Sequence, residues 1–367
     1  MEKKGFIEEF ALFSSLSVSM IGSGIFYAPA IISKYVGQNG WAVSIITGII
    51  VFLIFLAINK LIELNHNGDI TEILANVYGS VIGKILAFLF SLFMIIVLAL
   101  FLRGFSEVIT MYLLTNTPTE VIITTLVFIG MYLSRGGLAN VVHFNEIVFW
   151  IMFVPIAIIL LLTLPEADFS NLLPIGGYDV ISYLKGSFEM LFLFSGFCVA
   201  FVLLPYVREK NKIKSVVGKS CIFVSIFYVV IFTIVCATLS NAQVSDSIFP
   251  TITMLQSITS RSGILEKWDS LVMSLWVIFY FTSFANIYYF ASIIIKDIFC
   301  IKDVRTASAI YIPIVYVIAM FPENIIEVRN LKYNYLRIGL MSIIVIIIGL
   351  TLIISYFKTR RGAIREK

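Results

Sequence analysis

Two short stretches of small residues interrupt otherwise apolar runs of the chain. Gly22, Ser23 and Gly24 stand within IGSGIFYAPA, and Ser195 and Gly196 stand within FLFSGFCVAFVLLP. Glycine lets the backbone leave helical geometry and lets a ligand approach it closely. Where a helix restarts after a break, its first N–H groups and the positive end of its dipole attract a carboxylate. The first stretch therefore predicts a carboxylate-binding site.

The second stretch predicts the complementary chemistry. A break at Phe194–Phe197 frees carbonyl oxygens, which accept hydrogen bonds from an ammonium group. Together the two breaks would hold a zwitterionic amino acid without any charged side chain. The candidate ligand-contacting residues at the breaks are Gly22, Ser23, Gly24 and Ile25 in the first, and Phe194, Ser195 and Gly196 in the second. The alternative is that these small residues only allow helices to pack closely.

The composition predicts that lipid surrounds most of the chain. Hydrophobic residues make up 60% of the sequence, charged residues make up 13%, and the mean hydropathy is +1.01. A soluble domain is about half apolar and about one quarter charged. The sequence therefore predicts an all-α integral membrane protein with one membrane domain over residues 1–367.

Apolar runs of roughly 20 residues are long enough to cross a hydrocarbon core about 30 Å thick. Such runs are predicted near 10–32, 40–64, 84–113, 118–134, 143–164, 183–206, 216–240, 268–296, 305–320 and 334–357. Ten spans divide into two five-helix repeats, 10–164 and 183–357, and a repeat with an odd number of spans is inverted. Spans one and six, which carry the two breaks, then become counterparts, and paired interrupted helices indicate a transporter-like binding site.

Positive residues predict the orientation of the spans. Of the 26 Lys and Arg residues, eighteen fall on the side of the N-terminus and seven on the other side, while Arg103 lies within a span. The excess of Lys and Arg marks the cytoplasmic side. Both termini, including a basic tail at residues 358–367, are therefore predicted to be cytoplasmic.

Further polar residues lie inside the predicted spans. In span three, Arg103 and Glu107 share a helix face, and we interpret them as either a gate or a structural ion pair. Glu146 and Glu189 lie near span ends, where we expect water to solvate them. The remaining candidate contacts are Leu98 in span three and Thr282, Ser283 and Asn286 in span eight, which would shape the side-chain pocket.

No motif for catalysis, a cofactor or a metal is present. The sequence has no Ser–His–acid set and no phosphate-binding loop, and its four cysteines have no metal-ligand spacing. The basic cluster REKNKIK at Arg208–Lys214 is explained by the positive-inside rule rather than by nucleic acid. We therefore expect neither an enzyme nor a metal- or cofactor-dependent protein.

The motifs resemble those of a known superfamily. GSGIF in span one and FSGF in span six are similar to the breaks of amino acid–polyamine–organocation transporters, which implies a LeuT-like fold of two inverted five-helix repeats. SRGGLANVVHFNEIVFW and EKWDSLVMSLWVIFYFTS resemble the entries to spans five and eight of spore germinant receptor B subunits. That family commonly has an arginine at the entry to span five, where this chain has His143, Phe144 and Asn145.

The resemblance implies a receptor in the inner membrane of a dormant spore. It would bind a small amino acid between spans one, three, six and eight, and it would signal germination with A and C receptor subunits. Two alternatives remain. One is an amino acid transporter coupled to Na⁺ or H⁺, and the other is a scaffold whose helix breaks serve only packing.

Overall fold

The computed structural model describes residues 5–22, 24–262, 268–331 and 335–365. Helices dominate these ranges because a backbone in lipid must satisfy its hydrogen bonds within each segment. The helices are α1 (Glu9–Ile21), α2 (Gly24–Val36), α3 (Gly40–Leu64), α4 (Ile70–Tyr78), α5 (Ser80–Tyr112), α6 (Thr119–Ser134), α7 (Gly137–Thr163), α8 (Val180–Leu193), α9 (Ala200–Leu203), α10 (Ile213–Thr238), α11 (Asn241–Asp246), α12 (Pro250–Ser262), α13 (Trp268–Ile298), α14 (Val304–Met320), α15 (Ile325–Leu331), α16 (Arg337–Ile343) and α17 (Thr351–Arg365).

The helical segments follow the predicted spans. Within the described ranges, six segments are long and apolar enough to cross a membrane, or seven if α8 and the segment Ser195–Tyr206 form one bent span. Three shorter apolar helices, α1, α6 and α14, fall on other predicted spans. The prediction of an all-α, multi-pass membrane fold is confirmed, and the full count of ten spans stays a prediction.

Four short helices lie outside the predicted spans, and local sequence signals explain two of them. Helix α4 begins with a capping box in which Asp69 and Glu72 each accept a hydrogen bond from the other residue's backbone N–H. Ser240 and Gln243 form the same arrangement at the start of α11. These helices, together with α12 and α15, connect the longer ones.

The packing partners of the helices repeat across the two halves of the chain. Helix α1 packs against α10, and its counterpart α8 packs against α3. In the same way, α13 packs against α6, and α14 packs against α5. In each of these two cases, replacing both helices of the first contact by their counterparts in the other half of the chain gives the second contact. This pattern fits the inverted repeat, whose limits at 10–164 and 183–357 stay predictions.

The N-terminal segment and the C-terminal helix lie on the same side of the helix bundle, which we call the terminal side. Arg208, after the sixth span, donates its backbone N–H to the carbonyl of Ile7 (3.0 Å). On the same side, Lys358 in α17 donates to the carbonyls of Asn76 and Val77 at the end of α4. The shared location agrees with an even number of spans.

A proline just past the first turn of α2 leaves one carbonyl without its helical hydrogen bond, and a residue of another helix supplies the missing donor. Pro29 lacks an N–H group, so the carbonyl of Ile25 receives no hydrogen bond from the residue four places later. The hydroxyl of Thr251 in α12 donates to that carbonyl at 2.9 Å. Thr251 is buried, and it therefore satisfies a polar group that would otherwise be unpaired in an apolar interior.

Replacement of Thr251 by valine tests this pairing. The substitution Thr251→Val leaves the Ile25 carbonyl buried without a donor, which costs about 1–3 kcal/mol. We expect a lower thermal unfolding temperature of the purified protein in detergent. Thr253→Val is the matched control because Thr253 is exposed and its hydroxyl can donate to the Phe249 carbonyl of its own segment. Equal unfolding temperatures for the two variants would contradict the assigned role.

Candidate functional site

The first break separates α1 from α2. Gly22 adopts φ +39° and ψ −136°, a conformation that suits glycine. Ser23 lies outside the described residues. Carbonyls at the end of α1 are capped from other helices: the Tyr228 hydroxyl donates to Ile21 (3.0 Å), and the Ser283 hydroxyl donates to Val18 (2.9 Å). Helix α2 begins at Gly24, so its N-terminus points into the break.

The second break follows α8. Residues Ser195–Val199 form a 3₁₀ turn, and the chain bends by 52° between α8 and the segment Ser195–Tyr206. The carbonyl of Phe194 accepts the N–H of Phe197 at 2.9 Å. A Cβ atom on Gly196 would lie 1.9 Å from the carbonyl oxygen of Ser19. The backbones of the two broken spans therefore meet at Gly196.

A cavity of 40 Å³ lies at this meeting point. It is bordered by spans one, three, six and eight, the four spans between which the family resemblance places a ligand. Its lining residues are Ser19, Gly22, Gly24, Tyr27, Val97, Leu98, Phe101, Leu193, Ser195, Gly196, Tyr280, Ser283, Phe284 and Ile287. Among these residues there is no Asp, Glu, Lys, Arg or His. Backbone groups and hydroxyls therefore supply the polar surface of this central cavity.

Six of the predicted contact residues line the central cavity: Gly22, Gly24, Leu98, Ser195, Gly196 and Ser283. Four others lie beside it. The side chain of Ile25 lines a separate apolar cavity against α7 and α12. Phe194 stacks on Tyr228, with ring centroids 5.1 Å apart. The Thr282 hydroxyl donates to the Ile278 carbonyl of its own helix, and Asn286 belongs to the polar network described next.

Four buried polar residues link α1, α7 and α13. The amide nitrogen of Asn145 donates to Ser15 and to the amide oxygen of Asn286, at 3.0 Å each. Asn286 in turn donates to Ser19 at 2.8 Å. The amide oxygen of Asn145 has no hydrogen-bond partner in the structure. Asn286 thus joins Ser19, which lines the cavity, to Asn145 in span five.

Sequence reasoning missed several residues that line the cavity. On α13, Tyr280, Ser283, Phe284 and Ile287 follow the spacing of one helix face. Extending that face from Ser283 would have identified the other three. Tyr228 was also missed, because nothing in the sequence of α10 shows that it caps the carbonyl of Ile21.

An aromatic layer separates the central cavity from a second cavity of 130 Å³ on the side opposite the termini. Phe101 stacks on Phe192 (5.5 Å between ring centroids) and on Tyr27 (6.3 Å). Tyr27 and Leu193 border both cavities. The central cavity is thus closed on this side by side chains of spans one, three and six.

The expectation for Glu189 was wrong. Its side chain is 8% exposed rather than solvated, and it forms an ion pair with Arg337 at the start of α16. The hydroxyl of Tyr35 also donates to it at 3.2 Å. Burial of the carboxylate is possible because two donors satisfy it. This pair borders the second cavity.

Arg103 and Glu107 form the expected ion pair, with 2.8 Å between their charged atoms. Arg103 also donates to the hydroxyl of Thr119 (3.2 Å) and to the carbonyl of Glu323 (3.1 Å). These contacts join α5 to the start of α6 and to the segment after α14. Neither charged residue lines the central cavity or the second cavity, so the contacts favour the structural interpretation.

On the terminal side, the N-terminal segment is bound to the chain that follows the sixth span; we call these contacts the N-terminal latch. Ile7 and Val207 form a parallel β-bridge, and Phe6 donates its N–H to the Tyr206 carbonyl at 2.9 Å. Lys212 pairs with both Glu9 and Glu209. These carboxylates raise the pKa of Lys212 to about 12, and the hydrogen bond from Lys212 lowers the pKa of Glu9.

Comparison with solved structures defines the class of fold. The chain is similar to Mhp1, a nucleobase-cation-symport-1 family transporter in a closed conformation with bromovinylhydantoin bound. The TM-score is 0.66, at 14% sequence identity, and the match covers 94% of this chain and 78% of that one. The protein therefore has the LeuT-like fold that the superfamily resemblance implied.

Sequence comparison defines the family. The family model described as "Spore germination protein" matches residues 6–328, and the chain belongs to this family. It is 26% identical over 341 residues to spore germination protein A2 of Bacillus subtilis, covering 91% of this chain and 93% of that protein. It is 24% identical over 358 residues to spore germination protein GerQB of Bacillus cereus, covering 97% and 98% of the two chains. The family resemblance predicted from the sequence is confirmed.

A methyl group at Gly196 tests whether the two broken spans meet there. Gly196→Ala places a carbon 1.9 Å from the Ser19 carbonyl oxygen, so the backbone of α1 has to move. We expect a lower unfolding temperature and a lower yield of folded protein, because overpacking costs about 1–3 kcal/mol. Gly218→Ala is the control, since its added carbon meets Phe52 at an ordinary 3.5 Å. Wild-type stability of Gly196→Ala would contradict the close approach.

Loss of Lys212 tests the N-terminal latch. Lys212→Ser removes the ammonium group that pairs with Glu9 and Glu209, and we expect faster deuterium uptake by residues 5–9 and 206–209 in exchange mass spectrometry. Lys60→Ser is the control, because Lys60 pairs with Glu63 within α3 and away from these segments. Unchanged uptake in Lys212→Ser would show that the backbone bridge holds without the ion pairs.

Proposed function

We propose that this protein is a germinant-sensing homologue of amino acid permeases, and that it binds a small amino acid in the central cavity. The observation that carries the proposal is a cavity at two helix breaks whose described lining has no ionisable Asp, Glu, Lys, Arg or His. Such a lining suits a ligand that carries both charges itself, because each charge is then balanced within the ligand and by backbone dipoles.

The N-terminus of α2 would hold the carboxylate of the ligand. Gly22 and Gly24 line the cavity, and the first N–H groups of a helix have no acceptor in their own helix. Ser23 would add its hydroxyl. Helix α2 is 13 residues long, so its dipole contributes at its N-terminus.

The ammonium group would lie near the second break. Ser195 and Gly196 line the cavity beside the end of α8. The Phe194 carbonyl already accepts the N–H of Phe197, and its second lone pair would accept from the ammonium group. Leu98, Phe101 and Phe284 would surround the side chain of the ligand. The cavity is small, and we therefore expect a small amino acid such as glycine or alanine to bind better than a large one.

In the proposed role, the protein resides in the inner membrane of the spore with both termini in the cytoplasm. It would signal germination together with A and C receptor subunits. The relatives named above are spore germination proteins, which supports this role. No chemical conversion of the ligand is part of the proposal.

The alternative is an amino acid transporter driven by Na⁺ or H⁺. The likeness of the fold to a cation-symporter family member supports this alternative, because the same cavity could open alternately to each side. Uptake of radiolabelled glycine or alanine into vesicles containing the purified protein distinguishes the two. Accumulation that depends on an ion gradient would favour the transporter.

Ligand binding is tested by thermal unfolding of the purified protein with each of the twenty amino acids. We expect glycine or alanine to raise the unfolding temperature most, because a ligand that binds only the folded state stabilises it. The absence of a shift with every amino acid would overturn the proposed ligand class and favour the scaffold alternative.

Two substitutions connect binding to germination. Gly24→Leu blocks the first break, since even a Cβ atom there would lie 2.5 Å from the Tyr228 hydroxyl. Leu98→Phe fills the cavity from α5 without altering the backbone. We expect both variants to abolish the thermal shift and to prevent amino acid-induced germination of spores. Leu89→Phe is the control, because Leu89 lies on α5 but is 53% exposed on the outer surface of the bundle. Normal germination of Leu98→Phe spores with normal protein levels would contradict the assigned pocket.

A further inference from the structure

A groove of 690 Å³ lies between α8 and the last membrane-spanning segment. It is distinct from the central cavity and opens on the outer surface of the helix bundle. Apolar side chains form its walls, including Phe188 on one side and Met341, Val345 and Ile346 on the other. Phe188 is 47% exposed and Val345 is 59% exposed. The walls therefore face the hydrocarbon of the membrane.

A change in helix geometry shapes one wall of the groove. Residues Ile344–Leu350 form a π-helical segment between α16 and α17. A π-turn inserts an extra residue per turn and widens the helix locally, and such segments are frequent at functional sites. Val345 and Ile346 belong to this segment. The groove is thus lined by an irregular stretch of helix rather than by two regular ones.

Charged residues stand at one end of the groove. Lys185 lies in the second turn of α8, and Arg337 is the first residue of α16. Both are exposed, and both line the groove together with Glu189. Glu189 is paired with Arg337 and accepts from Tyr35. Asp179 at the start of α8 attracts Lys185 electrostatically, but it does not line the groove. Lys185 and Arg337 against Glu189 give the lining of this end a net charge of +1.

The depth of this charged end matches that of lipid headgroups. Helix α8 begins at Val180 and ends at Leu193, where the second break follows, and Lys185 lies in the half of the helix away from that break. We therefore expect Lys185 and Arg337 to lie near the membrane surface on the side opposite the termini. A phosphate at this depth would meet both cations, while an acyl chain attached to it would extend along Met341 and Val345.

We propose that this groove binds one anionic phospholipid, with its phosphate at Lys185 and Arg337 and one acyl chain along the π-helical segment. An apolar groove open to the bilayer is filled by lipid, since hydrocarbon is the medium that surrounds it. The two cations select an anionic headgroup over a zwitterionic one. Arg337 also pairs with Glu189 beside the second cavity, so the lipid phosphate would share the guanidinium group with that carboxylate.

Phosphatidylglycerol is the probe for this site. Purified full-length protein is stripped of lipid in detergent, and native mass spectrometry then counts the phosphatidylglycerol or phosphatidylcholine molecules that each protein retains. We expect one phosphatidylglycerol to be retained in preference to phosphatidylcholine. Free glycerol phosphate should not compete, because it has no acyl chain. Equal retention of the two lipids, or displacement by glycerol phosphate, would overturn the proposal.

Two variants test the two ends of the groove. Lys185→Gln removes one cation, and we expect an affinity for phosphatidylglycerol about fivefold lower, the effect of about 1 kcal/mol for one basic residue near a lipid surface. Val345→Trp fills the groove and should prevent retention of the lipid altogether.

Two control variants make the same kinds of substitution at exposed positions outside the groove. Leu161→Trp places the same ring on α7, where Leu161 is 65% exposed, and Lys302→Gln removes an exposed lysine beyond α13. Neither should change lipid retention. Lys185 is exposed, so the Lys185→Gln variant is expected to fold even if Val345→Trp does not. Wild-type affinity of Lys185→Gln for phosphatidylglycerol would overturn the proposal, which is independent of what the central cavity binds.

Discussion

The rest of the structure depends on one constraint, that a backbone polar group inside a membrane must have a partner. Breaking a helix there frees carbonyl and N–H groups, and the protein pairs the carbonyls individually. Tyr228 donates to the Ile21 carbonyl at the end of α1, and Thr251 donates to the carbonyl that Pro29 leaves without a donor. Ser283 adds a second hydrogen bond to the Val18 carbonyl, which also accepts the N–H of Gly22. These partners come from α10, α13 and α12, so the break in span one is held by three other helices. The N–H groups at the N-terminus of α2 have no acceptor within their own helix. The carboxylate of the proposed ligand would bind there.

Span one, which borders the central cavity, also contacts structures on both sides of that cavity. Span one contributes Tyr27 to the aromatic layer on one side, and on the terminal side Glu9, the first residue of α1, pairs with Lys212 in the N-terminal latch. A ligand that bridges the two breaks would therefore contact helices that also contribute to the aromatic layer and to the N-terminal latch. Sensing and transport would use the same contacts. They would differ in whether the protein also opens to the other side of the membrane and releases the ligand there, which depends on the balance between its conformational states.

Much of the fold could be predicted from the sequence because lipid imposes long apolar runs, and glycines within such runs stand out. Gly22, Gly24 and Gly196 were found in this way, and they do line the central cavity. Other features depend on contacts between distant segments. Glu189 pairs with Arg337, a residue 148 positions away. Because the sequence does not show this pairing, the position of Glu189 near a span end suggested that water solvates its carboxylate, whereas the fold buries it. Asn286 likewise looked like a pocket residue, and its bonds to Ser19 and Asn145 arise only once α1, α7 and α13 pack together.

The binding of a carboxylate by backbone N–H groups at the first break can be measured directly by solid-state NMR. The protein is labelled with ¹⁵N at glycine and isoleucine, and the amino acid that stabilises it most is labelled with ¹³C at its carboxylate. Dipolar recoupling then reports the distance from the carboxylate carbon to the amide nitrogens of Gly24 and Ile25. A carboxylate that accepts these hydrogen bonds gives a distance of about 4 Å. Binding of the amino acid without measurable coupling to either nitrogen would contradict the proposed site.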